Sequence, residues 1–526
     1  MLIISSFEKE YQPLFNDGCE FKWIVEMKKW EYNRIVILML SVLCMTWGEC
    51  CGEEYVVLVG KSVRVDKEWQ KVVDRVVEFH QARVVEFNER TSEALPQLRE
   101  LAPRYVAIVE KPENIDISFV VDLNRMSRNV DDDIYCDFLW GIITGYDADS
   151  ALALVERAQT AKMVRSAWCM RNNDFSDGRY FEEMGLCDSR GVWFEKDKND
   201  HDVRKSNLND QISLADQMVA WAEGVQPDLI VYQVEELRNR MPLFAGVSGE
   251  KEMVLAREGK LWLHDHHLEL GKHSRVYFSQ MGGAQTFATK ESIPVVWMND
   301  GGVTAFVGSA TFSFHGRGTW GTLKYWLTDA GRFTLAEAYF LNQQDILWHL
   351  AAWDPDLLQR SCQYSDDPIK MVTRCYTSYD AFRKEIDASD DVLDRFGLWY
   401  ERDIWAYYGD PCWNVRMKDV SGDQPYRVTS KIKGKKCIVT IEMSEKYTWN
   451  RLCGDFCYKY DMGHLHGAVG SLPICYLFPQ RLKNPRLSPG RKNNWDVTVN
   501  KDFLFIRNAF YLEPGKVYQL VLDVDK

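Results

Sequence analysis

The stretch 274–327, SRVYFSQMGGAQTFATKESIPVVWMNDGGVTAFVGSATFSFHGRGTWGTLKYWL, constrains the fold most. Two short apolar runs within it, 276–278 and 304–307, have the unbroken apolar character of strands buried on both faces. A helix-compatible segment separates them, and each run empties into a Gly-rich turn. Strand, helix, strand is the pattern of a parallel sheet covered by helices. Ligands of open α/β sheets bind just beyond the carboxyl ends of the strands. The turns 279–287 and 308–320 are therefore the expected seat of a site.

The same alternation runs through the chain upstream. Segments 55–60 (YVVLVG), 82–87 (ARVVEF), 105–109 (YVAIV), 138–143 (FLWGII) and 227–232 (PDLIVY) read as further strands. Trp69, Val72, Val73, Val76 and Val77 recur at helical spacing after the first of them. Thr91 and Ser92 are candidate caps for a short helix over 91–101, and a further helix is expected over 120–128. Asp149 and Ser150 are candidate caps for the helix after the fourth strand. The polar segment 165–210 reads as a long surface excursion, a lid or an insertion. An amphipathic helix is expected over 333–350 with Thr334 near its start, and 351–400 reads as helical and irregular. The segment YYGDP (407–411) closes the α/β region. From Tyr426 the pattern changes to several short strands separated by turns, which predicts a β-sandwich of about 100 residues. The expected fold class is α/β: a doubly wound, mostly parallel sheet with helices on both faces, then the sandwich. Its expected boundaries are 53–160 and 161–420 for the two α/β halves and 421–526 for the sandwich.

With 526 residues, 46% hydrophobic, the chain can bury large cores. A net charge of −13 without a basic stripe disfavours nucleic acid as a partner. Near the N-terminus, Met27, Lys28, Lys29 and Arg34 precede a short apolar run, 35–47, and small residues follow at Gly48, Cys50 and Gly52. That layout is a secretory signal peptide, too short to span a bilayer as a mature helix. Residues 1–52 are thus expected to be an upstream extension plus signal peptide, with Met27 as the true start. The expected location is secreted, periplasmic or cell-surface, with membrane contact only during export. Export would make some of the 13 Cys after residue 26 available for disulfides, although spacing cannot give their pairing.

Several constellations carry two readings. Asp131–Asp133 and Asp137 suit either a Ca²⁺ or basic-group site or a solvated acidic turn. His264, Asp265, His266 and His267 contain a partial zinc set if extended, with His264 and His266 on one face, or form an exposed polar loop. Cys453, Cys457, His464 and His466 suit zinc or, in an exported protein, a disulfide or buried thiols. His315 and Trp320 lie at the rim of the expected site, where they could act as a base and a stacking platform or simply pack. No cofactor is called for.

The order of YVAIV, DDDIYCDFLWGIITG, FTLAEAYFLNQQDIL and YYGDP before a β-sandwich resembles the gingipain-like cysteine peptidases. That resemblance implies a caspase-like α/β fold followed by an immunoglobulin-like domain, and hydrolysis of peptide bonds by a Cys–His pair. It places the Cys near Gly283 or Ala284, and the His after PDLIVY or near Val247. No Cys occurs between Cys187 and Cys362, and no His from residue 202 to 263. A turn without a nucleophile cannot form a thioester. The expected function is therefore a degenerate homologue that binds a peptide, protein or cell-surface ligand through Ser279, Gly282, Gly283, Thr286, His315 and Trp320. Two alternatives stand beside it: a cysteine peptidase with a displaced nucleophile such as Cys187 or Cys362, and a metal-dependent hydrolase built on 264–267.

Overall fold

The computed structural model describes residues 54–525 except 171–176, 189, 201–202, 206–211, 233–239, 244–251, 280–286, 288, 366, 368–369, 387–391, 420–423, 448–472 and 489–494. Twelve strands of the described residues form the central sheet. They are numbered here in chain order: β1 (Tyr55–Gly60), β2 (Arg83–Phe87), β3 (Tyr105–Val109), β4 (Leu139–Ile143), β5 (Ser166–Met170) and β6 (Glu183–Cys187). After them come β7 (Trp193–Lys196), β8 (Arg204–Lys205), β9 (Leu229–Tyr232), β10 (Arg275–Ser279), β11 (Val303–Ser309) and β12 (Trp405–Tyr408). The spatial order is β2-β1-β3-β4-β12-β11-β10-β9-β5-β6-β7-β8.

Ten of these strands form two parallel halves running in opposite directions, and β7 and β8 extend one margin antiparallel. β2, β1, β3, β4 and β12 are mutually parallel, as are β11, β10, β9, β5 and β6. They meet at an antiparallel seam where Ser309 faces Trp405 and Phe306 faces Tyr408. One edge of the sheet therefore carries the carboxyl ends of the second half and the amino ends of the first. The seam comes from YYGDP. In chain order this segment supplies the last strand of the central sheet, and β12 inserts into the middle of that sheet, with Trp405 to Tyr408 fully buried.

Segment 165–210 departs from expectation. It is not a surface excursion, since β5, β6 and β7 lie within it and Ala167 to Met170 are fully buried. Short apolar runs between polar loops supply the strand, and neighbours on both sides bury it. The helix expected over 333–350 spans Leu335–Trp353, capped by Thr334 and Glu337. It is enclosed rather than amphipathic, because Asn342, Gln343, Gln344 and Asp345 are also buried. Two caps also fall elsewhere: Asp147, not Asp149 or Ser150, caps Ala148–Ala158, and Thr91 and Ser92 instead donate to Asp122.

Downstream of Tyr426 lie two antiparallel sheets. One pairs Tyr426–Lys433, Lys436–Met443, Val517–Asp523 and Arg486–Leu487, and the other pairs Ile474–Leu477, Phe503–Ile506 and Val497–Val499. Strand alternation sends Leu504 and Ile506 into the core between these sheets, while Phe503 and Phe505 face the α/β core. Polar contacts reinforce the junction: Arg104 donates to the carbonyls of Phe478 and Pro479 at 2.9 and 2.7 Å. The acidic turn belongs to this junction. Lys501 Nζ lies 2.5 Å from both Asp131 and Asp137, and Asn500 donates to Asp133 at 2.5 Å. The basic group facing the turn comes from the same chain.

Candidate functional site

At the carboxyl edge of the second half-sheet, Ser279, Tyr232, Met170 and Cys187 stand in register on adjacent strands, all fully buried. Val247, Gly282, Gly283, Ala284 and Thr286 lie outside the described residues. The second turn, after β11, is folded around one carboxylate. Glu401 accepts from Ser313 Oγ at 2.7 Å, from the backbone N–H of Gly316 and Arg317 at 2.8 Å each, from Trp405 Nε1 at 3.2 Å, and from the His315 N–H. Gly316, at φ 71°, turns the chain into the helix Arg317–Thr328, and Glu401 satisfies that helix's first free amides from another segment. A buried carboxylate at a helix N-terminus is favourable because the amide dipoles point at it. Replacing Glu401 by Gln removes that charge and leaves buried donors short of acceptors. The expected cost is about 2–3 kcal/mol, read as a lower urea midpoint at unchanged slope.

This arrangement brings His315 and Trp320 together beneath the surface. Their rings are 5.9 Å apart, Trp320 Nε1 donates to the His315 carbonyl at 2.9 Å, and the residues are only 9% and 5% exposed. His315 Nε2 faces Asp394 Oδ1 at 3.4 Å, while Nδ1 is buried without a hydrogen-bond partner among the described residues. Arg317 lies over the indole at 4.4 Å. The geometry is that of packed side chains supporting the turn.

Neither alternative thiol is primed. Cys187 lies three strands from Ser279, roughly 14 Å at the usual strand spacing. Burial pushes its pKa up to about 12. Cys362 sits nearer the β11 turn, where Thr311 Oγ1 reaches the Ser365 carbonyl at 3.5 Å, and burial likewise raises its pKa to about 12. Neither is hydrogen-bonded to a histidine among the described residues. A thiolate is the nucleophilic form, so both sites work against attack.

The 264–267 segment is a tight hairpin rather than an extended strand. Leu263 pairs with His266, which leaves His264 and Asp265 as the turn, with His264 at φ 58°. His264 and His266 therefore do not share a strand face. His266 Nε2 pairs with Glu223 at 2.8 Å, and His267 Nε2 with Asp300 at 3.0 Å. Among the described residues no group of three or more His, Cys, Asp or Glu is placed to hold a metal ion. Cys453, Cys457, His464 and His466 lie outside them.

The residues most involved at this edge, Glu401, Arg402 and Asp403, were not singled out from the sequence. Their available signal was a charged triplet directly before the apolar IWAYY run. Charges leading into a buried strand must find partners, and these three do.

No family model matches the chain, and no curated protein matches it. Similar solved structures include the Arg-specific cysteine proteinase gingipain R, 12% identical with a TM-score of 0.37, covering 76% of this chain and 86% of that one. A complex of the pro- and mature domains of RgpB from Porphyromonas gingivalis is 11% identical with a TM-score of 0.36, covering 90% and 93% respectively. A structure described only as a protease is 9% identical with a TM-score of 0.33, covering 74% and 85%. Likeness at this level assigns neither activity nor substrate to this chain.

Proposed function

We propose that this chain is an exported protein on a gingipain-like scaffold that binds, and does not cut, a peptide, protein or cell-surface ligand. The observation that carries the reading is the absence of any Cys between Cys187 and Cys362 and of any His from 202 to 263. The resembling family's nucleophile and base would fall in those intervals. The raised thiol pKa values of Cys136, Cys187 and Cys362, at about 11, 12 and 12, support it further. The disulfide at Cys412 accords with an oxidising compartment, as does the signal-peptide layout of 27–52. The two C-terminal sheets are read as an immunoglobulin-like sandwich. Ligand contact is assigned to the turns after β10 and β11.

The test is incubation of the full chain with a mixed peptide library, with and without iodoacetamide. No cleavage above buffer is expected. Cleavage abolished by the alkylator would overturn the reading, and its loss in Cys187→Ser or Cys362→Ser would name the displaced nucleophile.

A further inference from the structure

A cavity of about 480 Å³ lies on the same edge of the sheet, displaced toward the first half. Arg99, Arg125 and Arg128 line it together with Asp131, Asp132, Asp133, Asn129, Ile134, Leu358 and Gln359. Two of the guanidiniums are fixed from below. The fully buried Asp403 accepts from Arg128 Nη2 at 2.8 Å and from Arg125 Nε at 3.3 Å. It also accepts from Arg402 at 2.6 and 3.0 Å. Three guanidiniums thus surround one carboxylate, which leaves positive charge in excess beside the cavity.

The donors left over are specific. Both Nη groups of Arg125 have no partner among the described residues, and Arg128 uses only Nη2. Arg99 spends Nε and Nη2 on the Asn129 carbonyl, which leaves Nη1. Basic residues in a last helical turn answer the helix dipole, and Arg99 and Arg125 hold such positions. That accounts for their sign but not for their convergence with Arg128, which lies beyond the helix. The rest of the lining is of opposite sign. Asp131 is engaged by Lys501 and Asp133 by Asn500, whereas the Asp132 carboxylate has no partner among the described residues. Guanidinium and carboxylate groups thus share the lining, which disfavours a polyanion and a plain cation alike.

We propose that the cavity between Arg125/Arg128 and Asp132 binds a small zwitterion, a free amino acid or a short peptide. Its carboxylate is held by the guanidiniums and its ammonium by Asp132. Planar guanidinium donors match a carboxylate bidentately, and Asp132 accepts from the ammonium. The site is separate from the turns after β10 and β11, and stands whether or not those turns bind a ligand.

The experiment is calorimetric titration of the full chain with dialanine, its N-acetyl form, its C-terminal amide and inorganic phosphate. Dialanine is expected to bind, with acetylation and amidation each weakening it by about tenfold. Arg125→Gln should erase the penalty for amidation and Asp132→Asn the penalty for acetylation. Arg125 shares Asp403 with two other guanidiniums and Asp132 is unpaired, so both variants are expected to fold, which circular dichroism checks. No binding of dialanine at millimolar concentration would overturn the proposal. So would phosphate binding as tightly as dialanine, or equal dialanine affinity in both folded variants and the wild type.

Discussion

Replacing Asp345 by alanine is expected to destabilise the protein by about 3–5 kcal/mol, the range for removing one partner of a buried ion pair. Asp345 is 1% exposed and lies in the middle of the enclosed helix Leu335–Trp353. Its Oδ2 accepts from Arg317 Nη2 at 2.7 Å and its Oδ1 from Arg507 Nη2 at 3.3 Å. Burial alone would raise the Asp345 pKa, but the charges of His349, Arg507 and Arg317 outweigh it and hold the carboxyl below its usual range. Burial pushes the His349 imidazole down to about 4, so at neutral pH the two guanidiniums supply the counter-charge. Removing the carboxylate takes the opposite charge away from both guanidiniums. Arg507 also stacks on Trp348 at 3.7 Å and follows a strand of the C-terminal sheets, so the same carboxylate ties those sheets to the α/β core. A double-mutant cycle with Arg507→Met should show coupling of about 1–3 kcal/mol, measured by urea unfolding of the four proteins. Additive losses would mean that the junction rests on its apolar contacts through Phe503 and Phe505.

Asp345 also shows where sequence reading reaches its limit. The strands built on short apolar runs were legible, because such runs must be buried on both faces: β1, β3, β4, β9 and β11 fall within a residue or two of expectation. The C-terminal strands were legible through their turns and spacing. What alternation and apolar runs do not encode is which strand lies beside which. The antiparallel seam at β12 depends on pairing between residues about a hundred positions apart, and β5 is identified as central only by its neighbours.

Polar residues were harder to place, for a related reason. FLNQQDIL reads as the wet face of an amphipathic helix, yet Gln344 exchanges hydrogen bonds with the backbone of Cys136 and Asp345 holds two arginines. The acidic turn reads as either a cation site or a solvated turn, because its partner, Lys501, is about 370 residues away. Periodicity gives burial for apolar side chains, whereas for charged ones burial depends on a distant counter-charge that local sequence does not contain. The same reasoning separates the expected catalytic turns from the charged cavity beside them. The first was found from glycine and missing cysteine, the second only once three helix and loop ends had come together.

Acid should expose the second large electrostatic contribution, at Asp403. Burial raises the pKa of this carboxyl, but Arg128, Arg402 and Arg125 outweigh it and hold the group well below the ordinary carboxylate range. An unfolded Asp titrates near 3.9. Between that value and the depressed folded one, the unfolded state binds the proton and the folded state does not, so stability rises with pH there. The contribution is complete above about pH 5 and is lost as pH falls through the folded value. Asp403→Asn removes the titrating group. The stability difference between wild type and this variant should be about 3 kcal/mol or more at pH 7 and should shrink steadily below about pH 4. Urea midpoints taken from pH 7 to pH 2 measure it. A difference that stays constant with pH would mean that Asp403 contributes through packing and neutral hydrogen bonds, and that its guanidinium cluster carries less surplus charge than the geometry indicates.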